Sequence, residues 1–491
     1  MKKKILYHLI LAAALFCSSC QGFLDKTPFD SIKQDEAIRN LQDARAAING
    51  LYATWNSEGL YSGYLTLLPD VQCDFTYSVI GYSNKLGTMY TWNIIPTNEY
   101  AETMYASLYK VISDVNFLLG KKEDIELQEG QQEELNNLLG EAYFSRALAY
   151  SELAKTYCPA YDPDKAEQQA GVSIWNTFLA GKPERSTLAK TYSQIFDDLE
   201  QAGRLLSYDA ADAIRISRGA LDALYARVYL YMHNWEEAAK AATRVIDNPH
   251  YALAEGYTDV DTLAAQTEFN TLWEYDKSNE IIWKLEYTKN NLAGSLGSYF
   301  CGTLGGFLRI DYAPAVGVVN LYAPQDVRKD VYFKTGNVNG SPIPVITKYP
   351  GNPDLRPSTA HVFCNMPKVF RLAEMYLIRA EAYANDNQES LANADLKTLR
   401  SKRIKNYEHV TANGKILQNE IRQERIKELY MEGHRLYDLK RYGEGFTRTS
   451  QSQSISPEDK LTISAGDYRF LWPIPSHEMD ANRNMKQNPG Y

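Results

Sequence analysis

Residues 220–246 read ALDALYARVYLYMHNWEEAAKAATRVI. Apolar and small residues recur at helical spacing over 220–233 and again over 235–246, so this segment predicts two helices joined by a one-residue turn at Asn234. The alanines of the first helix allow the second to pack closely against it, as an antiparallel pair of the tetratricopeptide type requires. A generic helical hairpin is the alternative. The segment therefore predicts a mostly α-helical fold built from helical pairs.

The centre of this segment, RVYLY at 227–231, has similar partners in RALAY at 146–150 and RAEAY at 379–383. Their spacing is unequal, which indicates interrupted repeats rather than a regular array. Helical spacing and start signals predict helices at about 35–56, 98–119, 129–157, 186–207, 217–232, 235–247, 367–385, 388–404 and 415–442.

Helical periodicity is absent from two stretches, at about 57–97 and about 251–366. The second is rich in Gly, Pro, Asn and Tyr, the first holds glycines and prolines among many aromatic residues, and short apolar runs such as EIIWKL at 280–285 predict a few short strands. Rigid scaffolds commonly carry their binding residues on loops of this kind. We therefore expect a single helical domain over 20–491 whose function lies in these irregular, loop-rich stretches, called here the first and second insertions.

The N-terminus has the pattern of a secretory signal peptide. A basic start, MKKK, precedes an apolar run at 5–16 that is shorter than the roughly 20 residues of a membrane-spanning helix. Ser18-Ser19-Cys20 resembles the cleavage box of bacterial lipoproteins, although Cys17 stands where that box usually has an aliphatic residue. We expect residues 1–19 to be removed and Cys20 to carry lipid; an ordinary signal that leaves Cys20 as a free thiol is the alternative.

Composition and motifs exclude several classes of function. The net charge of −9 makes nucleic acid an unfavourable partner. Cys73, Cys158, Cys301 and Cys364 are scattered without CxxC spacing, so they predict no metal site and leave their disulfide pairing open. The sequence has no GxSxG, P-loop, dinucleotide-binding or zincin motif, and we expect neither a cofactor nor an enzymatic activity.

The C-terminal end is the most specific feature of the chain. It reads FLWPIP at 470–475, has Glu478, Asn482 and Asn484, and ends in QNPGY at 487–491. Together with RLAEMYLIRAEA at 371–382, the segment 421–443 and Phe23-Leu24-Asp25 after Cys20, this pattern resembles the SusD/RagB family of Bacteroidetes outer-membrane lipoproteins. The resemblance spans 20–491.

The resemblance implies a surface-exposed protein, anchored in the outer membrane through its lipid, that captures an oligosaccharide. It further implies delivery to a TonB-dependent SusC-like transporter. The RagB branch of the family implies a peptide ligand as the alternative, and an all-α carbohydrate-active enzyme is the third and least favoured hypothesis.

Sugar-binding sites combine flat aromatic faces with short polar side chains, and both insertions contain such residues. The predicted ligand-binding residues are Asp74, Tyr77, Tyr82, Tyr90, Trp92, Asn93, Trp273, Tyr299, Arg309 and Tyr312. We expect Trp92 either to be displayed at the edge of the scaffold or to pack beneath the helix at 98–119. Trp283 and Trp472 are interpreted as core residues. Gly433, placed within the helix at 415–442, suggests a close backbone approach.

Overall fold

A computed structural model describes residues 36–83, 85–207, 212–257, 267–300, 302–304, 307–338, 340–356, 363–454 and 461–491. About half of the chain is helical, as predicted. The signal peptide, Cys20, Cys301 and the Phe23-Leu24-Asp25 motif lie outside the described residues. Cys73, Cys158 and Cys364 are buried free thiols. Among the described helices, none is long and apolar enough to cross a membrane.

Eight of the nine predicted helices are present as single helices within six residues of their predicted bounds, whereas the short helices of the insertions were not predicted. The described residues form sixteen helices. They are α1 (Leu41–Trp55), α2 (Tyr64–Val71), α3 (Gly87–Tyr90), α4 (Glu99–Gly120), α5 (Gln132–Tyr157), α6 (Leu188–Leu205), α7 (Arg218–Tyr231), α8 (Trp235–Ile246), α9 (Glu268–Glu274), α10 (Val316–Val319), α11 (Val327–Tyr332), α12 (Leu372–Asn385), α13 (Glu389–Ser401), α14 (Gly414–Glu428), α15 (Arg435–Tyr442) and α16 (Ser476–Ala481).

The predicted pair at 220–246 is α7 and α8, which pack against each other. Ser217 and Asn234 cap their N-termini by accepting hydrogen bonds from the backbone N–H groups of Ala220 and Glu237. Further pairs form from α4 and α5, α5 and α6, and α12 and α13, and α12 also packs on α8. The scaffold is therefore a stack of antiparallel helical pairs, as the interrupted repeats indicate.

The predicted helix at 415–442 is two helices, α14 and α15. Gly433 lies between them with φ of +80°, a conformation that glycine adopts without steric cost. A Cβ at this position would lie 2.2 Å from the carbonyl oxygen of Leu65. The close approach is confirmed, but its placement inside a helix was wrong because residues 429–431 are buried and continue the apolar pattern through the break.

All the described strands form two-stranded antiparallel sheets within or beside the insertions. The pairs are β1 (Thr76–Ser78) with β5 (Tyr312–Pro314), β2 (Ile281–Lys284) with β8 (Lys368–Arg371), β3 (Gly302–Leu304) with β4 (Phe307–Arg309), β6 (Phe333–Val338) with β7 (Ser341–Ile346) and β9 (Phe446–Thr447) with β10 (Thr462–Ile463). The core interpretation of Trp283, on β2, and of Trp472 is confirmed, because both side chains are fully buried.

A buried charge network joins the second insertion to α14. Glu428 accepts hydrogen bonds from the guanidinium groups of Arg328, Arg371 and Arg403, each at 3.0 Å. Burial alone would raise the pKa of the Glu428 carboxyl, but these three cations outweigh it and hold that pKa below its usual value. The charged residues of the 421–443 motif are therefore part of the scaffold.

Candidate ligand-binding site

The two insertions meet through a short antiparallel sheet. β1 pairs with β5, so that Tyr77 lies opposite Ala313 and Ser78 opposite Tyr312. The backbone N–H of Ser83 also donates to the carboxylate of Asp311 at 2.6 Å. These bonds join loops that are more than two hundred residues apart in sequence into one surface, called here the insertion surface.

A cluster of tyrosines lies at this junction. The rings of Tyr82 and Tyr90 lie 6.3 and 5.3 Å from the ring of Tyr312. Tyr90 and Tyr312 are buried, whereas Tyr82 is half-buried. The Tyr312 hydroxyl donates to the carbonyl oxygen of Lys85 at 2.6 Å, and burial raises the pKa of that hydroxyl, which keeps its proton in place. The buried pair therefore supports the more accessible Tyr82.

Lys85 covers a further aromatic ring at this junction. Its ammonium nitrogen lies 4.2 Å from the centroid of the Tyr299 ring and 3.8 Å from Oε1 of Glu58. The Tyr299 hydroxyl donates to the same carboxylate oxygen at 3.2 Å. Because the side chains of Lys85 and Glu58 are about half exposed, they supply charged groups to the surface above the buried ring.

A cleft of about 290 Å³ opens next to β1 and is called here the insertion cleft. Its lining comes from the first insertion, the second insertion and the C-terminal third of the chain. The lining residues are Asp74, Phe75, Thr76, Tyr77, Tyr90, Ala315, Gly317, Val318, Leu321, Ile426, Thr447, Arg448, Thr449 and Gln451.

Two arginines of the C-terminal third fix the polar side of this cleft. Arg435 donates two hydrogen bonds of 2.9 Å to the partly exposed carboxylate of Asp74. Arg448 is buried and donates to the carbonyl oxygens of Gln72, Cys73 and Tyr90 at 2.6–2.7 Å. Since these bonds hold the first insertion in place, the cleft combines an apolar floor with rigidly placed polar groups.

The predicted ligand-binding residues divide according to their exposure. Asn93 and Arg309 are exposed, Tyr82 is half-buried and Asp74 is partly exposed, so these side chains are accessible. The other predicted residues, Tyr77, Tyr90, Trp92, Trp273, Tyr299 and Tyr312, are buried. The structure encloses the rings of these six residues, and their role as ligand contacts stays a prediction.

Trp92 is 1% exposed, and its ring lies 5.6 Å from that of Phe446 and 5.2 Å from that of Phe470. Its indole N–H donates to the carbonyl oxygen of Gln72 at 2.5 Å. Of the two predicted placements, display at the scaffold edge is therefore contradicted. The ring is packed, with residues of the C-terminal segment as its aromatic neighbours.

Trp273 belongs to the buried charge network rather than to the insertion surface. The ammonium nitrogens of Lys348 and Lys368 lie 4.1 and 5.0 Å from its ring, and the guanidinium of Arg371 lies at 5.1 Å. Cations packed on a buried ring stabilise the scaffold. The ring of Trp273 is therefore enclosed in the scaffold, and its role as a ligand contact stays a prediction.

Sequence reasoning did not identify Glu58, Lys85, Arg435 or Arg448 as residues of this region. Arg435 and Arg448 lie about 70 and 80 residues after the end of the second insertion, and nothing in their local pattern links them to Asp74 or Tyr90. Lys85 lies among the predicted aromatic residues, so a search for cations beside tyrosines would have found it. Within the described ranges, no group of three or more His, Cys, Asp or Glu side chains is arranged to hold a metal ion.

Two family models match the chain. The model described as "SusD family" matches residues 345–491, and the model described as "Starch-binding associating with outer membrane" matches residues 22–230. The first match contains the C-terminal motifs, and the second contains α1 to α6, the first insertion and all but the last residue of α7.

Individual proteins with SusD names are also similar to this chain in sequence or in structure. SusD-like protein P2 of Formosa agariphila is 24% identical over 544 residues and is aligned over 100% of both chains. Starch-binding protein SusD of Bacteroides thetaiotaomicron is 36% identical over 123 residues, which cover 25% of this chain and 21% of that one. A SusD superfamily crystal structure from B. thetaiotaomicron superposes with a TM-score of 0.80 at 27% identity, covering 92% of this chain and 100% of the other.

Proposed function

Because the chain belongs to the SusD family, we propose that it is a cell-surface lipoprotein that captures an oligosaccharide. In this proposal it delivers the oligosaccharide to a TonB-dependent SusC-like transporter in the outer membrane. The family is of the carbohydrate-binding type and is associated with the outer membrane, which supports a role in binding rather than in catalysis. Cys20 is proposed to carry the lipid that holds the protein at the membrane.

The observation that carries the proposal is the junction of the two insertions. Tyr82 offers an accessible aromatic ring on a buried tyrosine floor, and Arg309 and Asp311 lie within a few residues of its partner Tyr312. A sugar ring can pack its C–H face on such a tyrosine, while its hydroxyl groups bond to the neighbouring charged side chains. We therefore propose Tyr82 and Arg309 as ligand contacts, with Asp74 and Asn93 as further polar contacts.

The test measures oligosaccharide affinity by isothermal titration calorimetry, starting with starch-derived oligosaccharides and continuing with a glycan array. For the bound glycan, Tyr82→Ala should weaken binding by about 0.5–1.5 kcal/mol, which is several-fold in the dissociation constant. Tyr468→Ala removes another partly exposed tyrosine and is the matched control. Unchanged affinity of Tyr82→Ala would contradict the proposed contact.

The same assay separates the alternatives. Binding of peptides without binding of any glycan would favour the RagB-like function, and hydrolysis of a bound glycan would show an enzyme. Copurification of a TonB-dependent transporter with the tagged full-length protein from native membranes would support the delivery step.

A further inference from the structure

A second cavity lies between α4, the loop at 173–180 and the start of α16, and is called here the Trp175 groove. Its volume is about 520 Å³, within the range of small-molecule sites. Its walls are aromatic, with Tyr105 and Tyr109 contributed by α4 and Trp175 and Phe178 by the loop. None of the predicted ligand-binding residues lines it, so this groove is separate from the insertion cleft.

The loop that forms one wall is held in place by partly buried hydrogen bonds. The Asn116 amide donates to the carbonyl oxygens of Trp175 and Thr177 at 2.9 and 3.2 Å. The Tyr109 hydroxyl donates to the carbonyl oxygen of Ser173 at 3.0 Å. These polar groups of the groove are occupied by the loop itself, so they are poor partners for the many hydroxyl groups of a sugar. The groove is preformed and favours a largely apolar occupant.

Its mouth exposes an unusual amount of apolar surface. The side chains of Phe178 and Leu179 are 43% and 74% exposed, and they are adjacent in sequence beside the cavity. Exposed apolar residues next to a preformed aromatic cavity are typical of a binding site.

The charged residues that line the groove favour an occupant of positive charge. Glu102 and Glu478 line it, and none of its lining residues is a lysine or an arginine. His477 also lines the groove, and its Nδ1 lies 3.8 Å from the Glu102 carboxylate. Negatively charged carboxylates beside apolar, low-dielectric walls attract a cation. The faces of Trp and Tyr rings also attract cations.

We propose that the Trp175 groove binds a small organic cation, a primary ammonium group on an apolar or aromatic body. The ammonium group lies between the carboxylates of Glu102 and Glu478, and the apolar body lies against Trp175 and Phe178. This site acts independently of oligosaccharide capture at the insertion surface.

The test compares two probes of nearly equal shape, 2-phenylethylammonium and neutral 2-phenylethanol, by calorimetric titration at neutral pH. The wild-type protein should bind the ammonium probe roughly tenfold more tightly than the alcohol. The double variant Glu102→Gln/Glu478→Gln should bind both probes equally, whereas Glu99→Gln, which changes an exposed carboxylate of the same helix outside the groove, should keep the preference. Equal binding of the probes by the wild type, or a preference that survives in the double variant, would overturn the proposal.

Two further measurements test whether the groove is independent of the glycan site and open to solvent. Phe178→Ala should weaken the binding of both probes and leave the oligosaccharide affinity unchanged. A failure of the ammonium site can therefore be distinguished from a failure of the proposed glycan function. If the wild type is a dimer in size-exclusion chromatography and Phe178→Ala makes it monomeric, a second copy covers the groove and the ammonium site is refuted.

Discussion

Trp92 is the residue at which binding and structural roles give opposite expectations. We predict that Trp92→Ala lowers stability strongly, because the ring is enclosed by Phe446 and Phe470 and bonded to Gln72. Truncating a buried tryptophan to alanine typically costs about 3–5 kcal/mol, through lost burial and the cavity left behind. That loss is a large part of a typical stability of about 5–15 kcal/mol.

Trp92→Phe separates ring packing from the hydrogen bond. It keeps an aromatic ring but removes the indole N–H and part of the ring volume, so its cost should exceed the roughly 1 kcal/mol net worth of one hydrogen bond and stay below the cost of Trp92→Ala. The carbonyl oxygen of Gln72 still accepts from Arg448 at 2.6 Å and is not left unpaired. Residue 92 has φ of +57°, and both substitutions keep a side chain with Cβ there, so backbone strain is the same in the two variants.

Urea unfolding followed by circular dichroism measures both variants without depending on tryptophan fluorescence. The free energy of unfolding should fall in the order wild type, Trp92→Phe, Trp92→Ala. Tyr82→Ala, in the same insertion but half-buried, should lower oligosaccharide affinity with a much smaller change in stability. The reasoning is refuted if Trp92→Ala unfolds like the wild type while its oligosaccharide affinity is lost, because the ring would then have to be displayed.

The remaining predictions concern membrane attachment and pH. Cys20→Ala should move the protein from the membrane fraction to the soluble fraction, measured by fractionation and by incorporation of labelled palmitate; labelling of the variant would show that Cys20 is not the lipid site. Burial lowers the pKa of the Lys440 ammonium to about 7, so between pH 7 and its unfolded value the unfolded chain binds more protons and stability rises with pH. Lys440→Met should flatten this rise by about 1.4 kcal/mol per pH unit between pH 7 and 9, measured by urea unfolding, and an identical slope in both proteins would contradict the assigned pKa.

The helical scaffold could be predicted because its signal is local. Alanines and apolar residues at helical spacing, with Ser217 and Asn234 as caps, determine α7 and α8 almost to the residue. The same signal failed at 429–433, where buried residues continue through a turn. A periodic apolar pattern shows which residues are buried. It does not show whether those residues continue a helix or form a buried turn, as they do before Gly433.

The site could be predicted only in part, because composition identifies aromatic residues but not which of their faces are covered. Tyr82 and Trp92 are ten residues apart in the same insertion and look alike in the sequence. Their different exposure depends on Phe446 and Phe470, which lie in the C-terminal segment. Contacts made across such long separations leave no local pattern in the chain.

The buried charge network explains how an insertion without helical periodicity is nevertheless fixed in place. Glu280 of the second insertion bonds to Arg371 and Arg403, and Arg328 of the same insertion bonds to Glu424 and Glu428 of α14. Removing one partner of such a pair leaves an uncompensated buried charge and costs about 3–5 kcal/mol, so each charge of the network requires its partners in place. Because these anchors lie in the core, the exposed segments between them can differ in sequence without loss of the scaffold. A protein built in this way can keep its helical framework while the exposed loops of its insertions change.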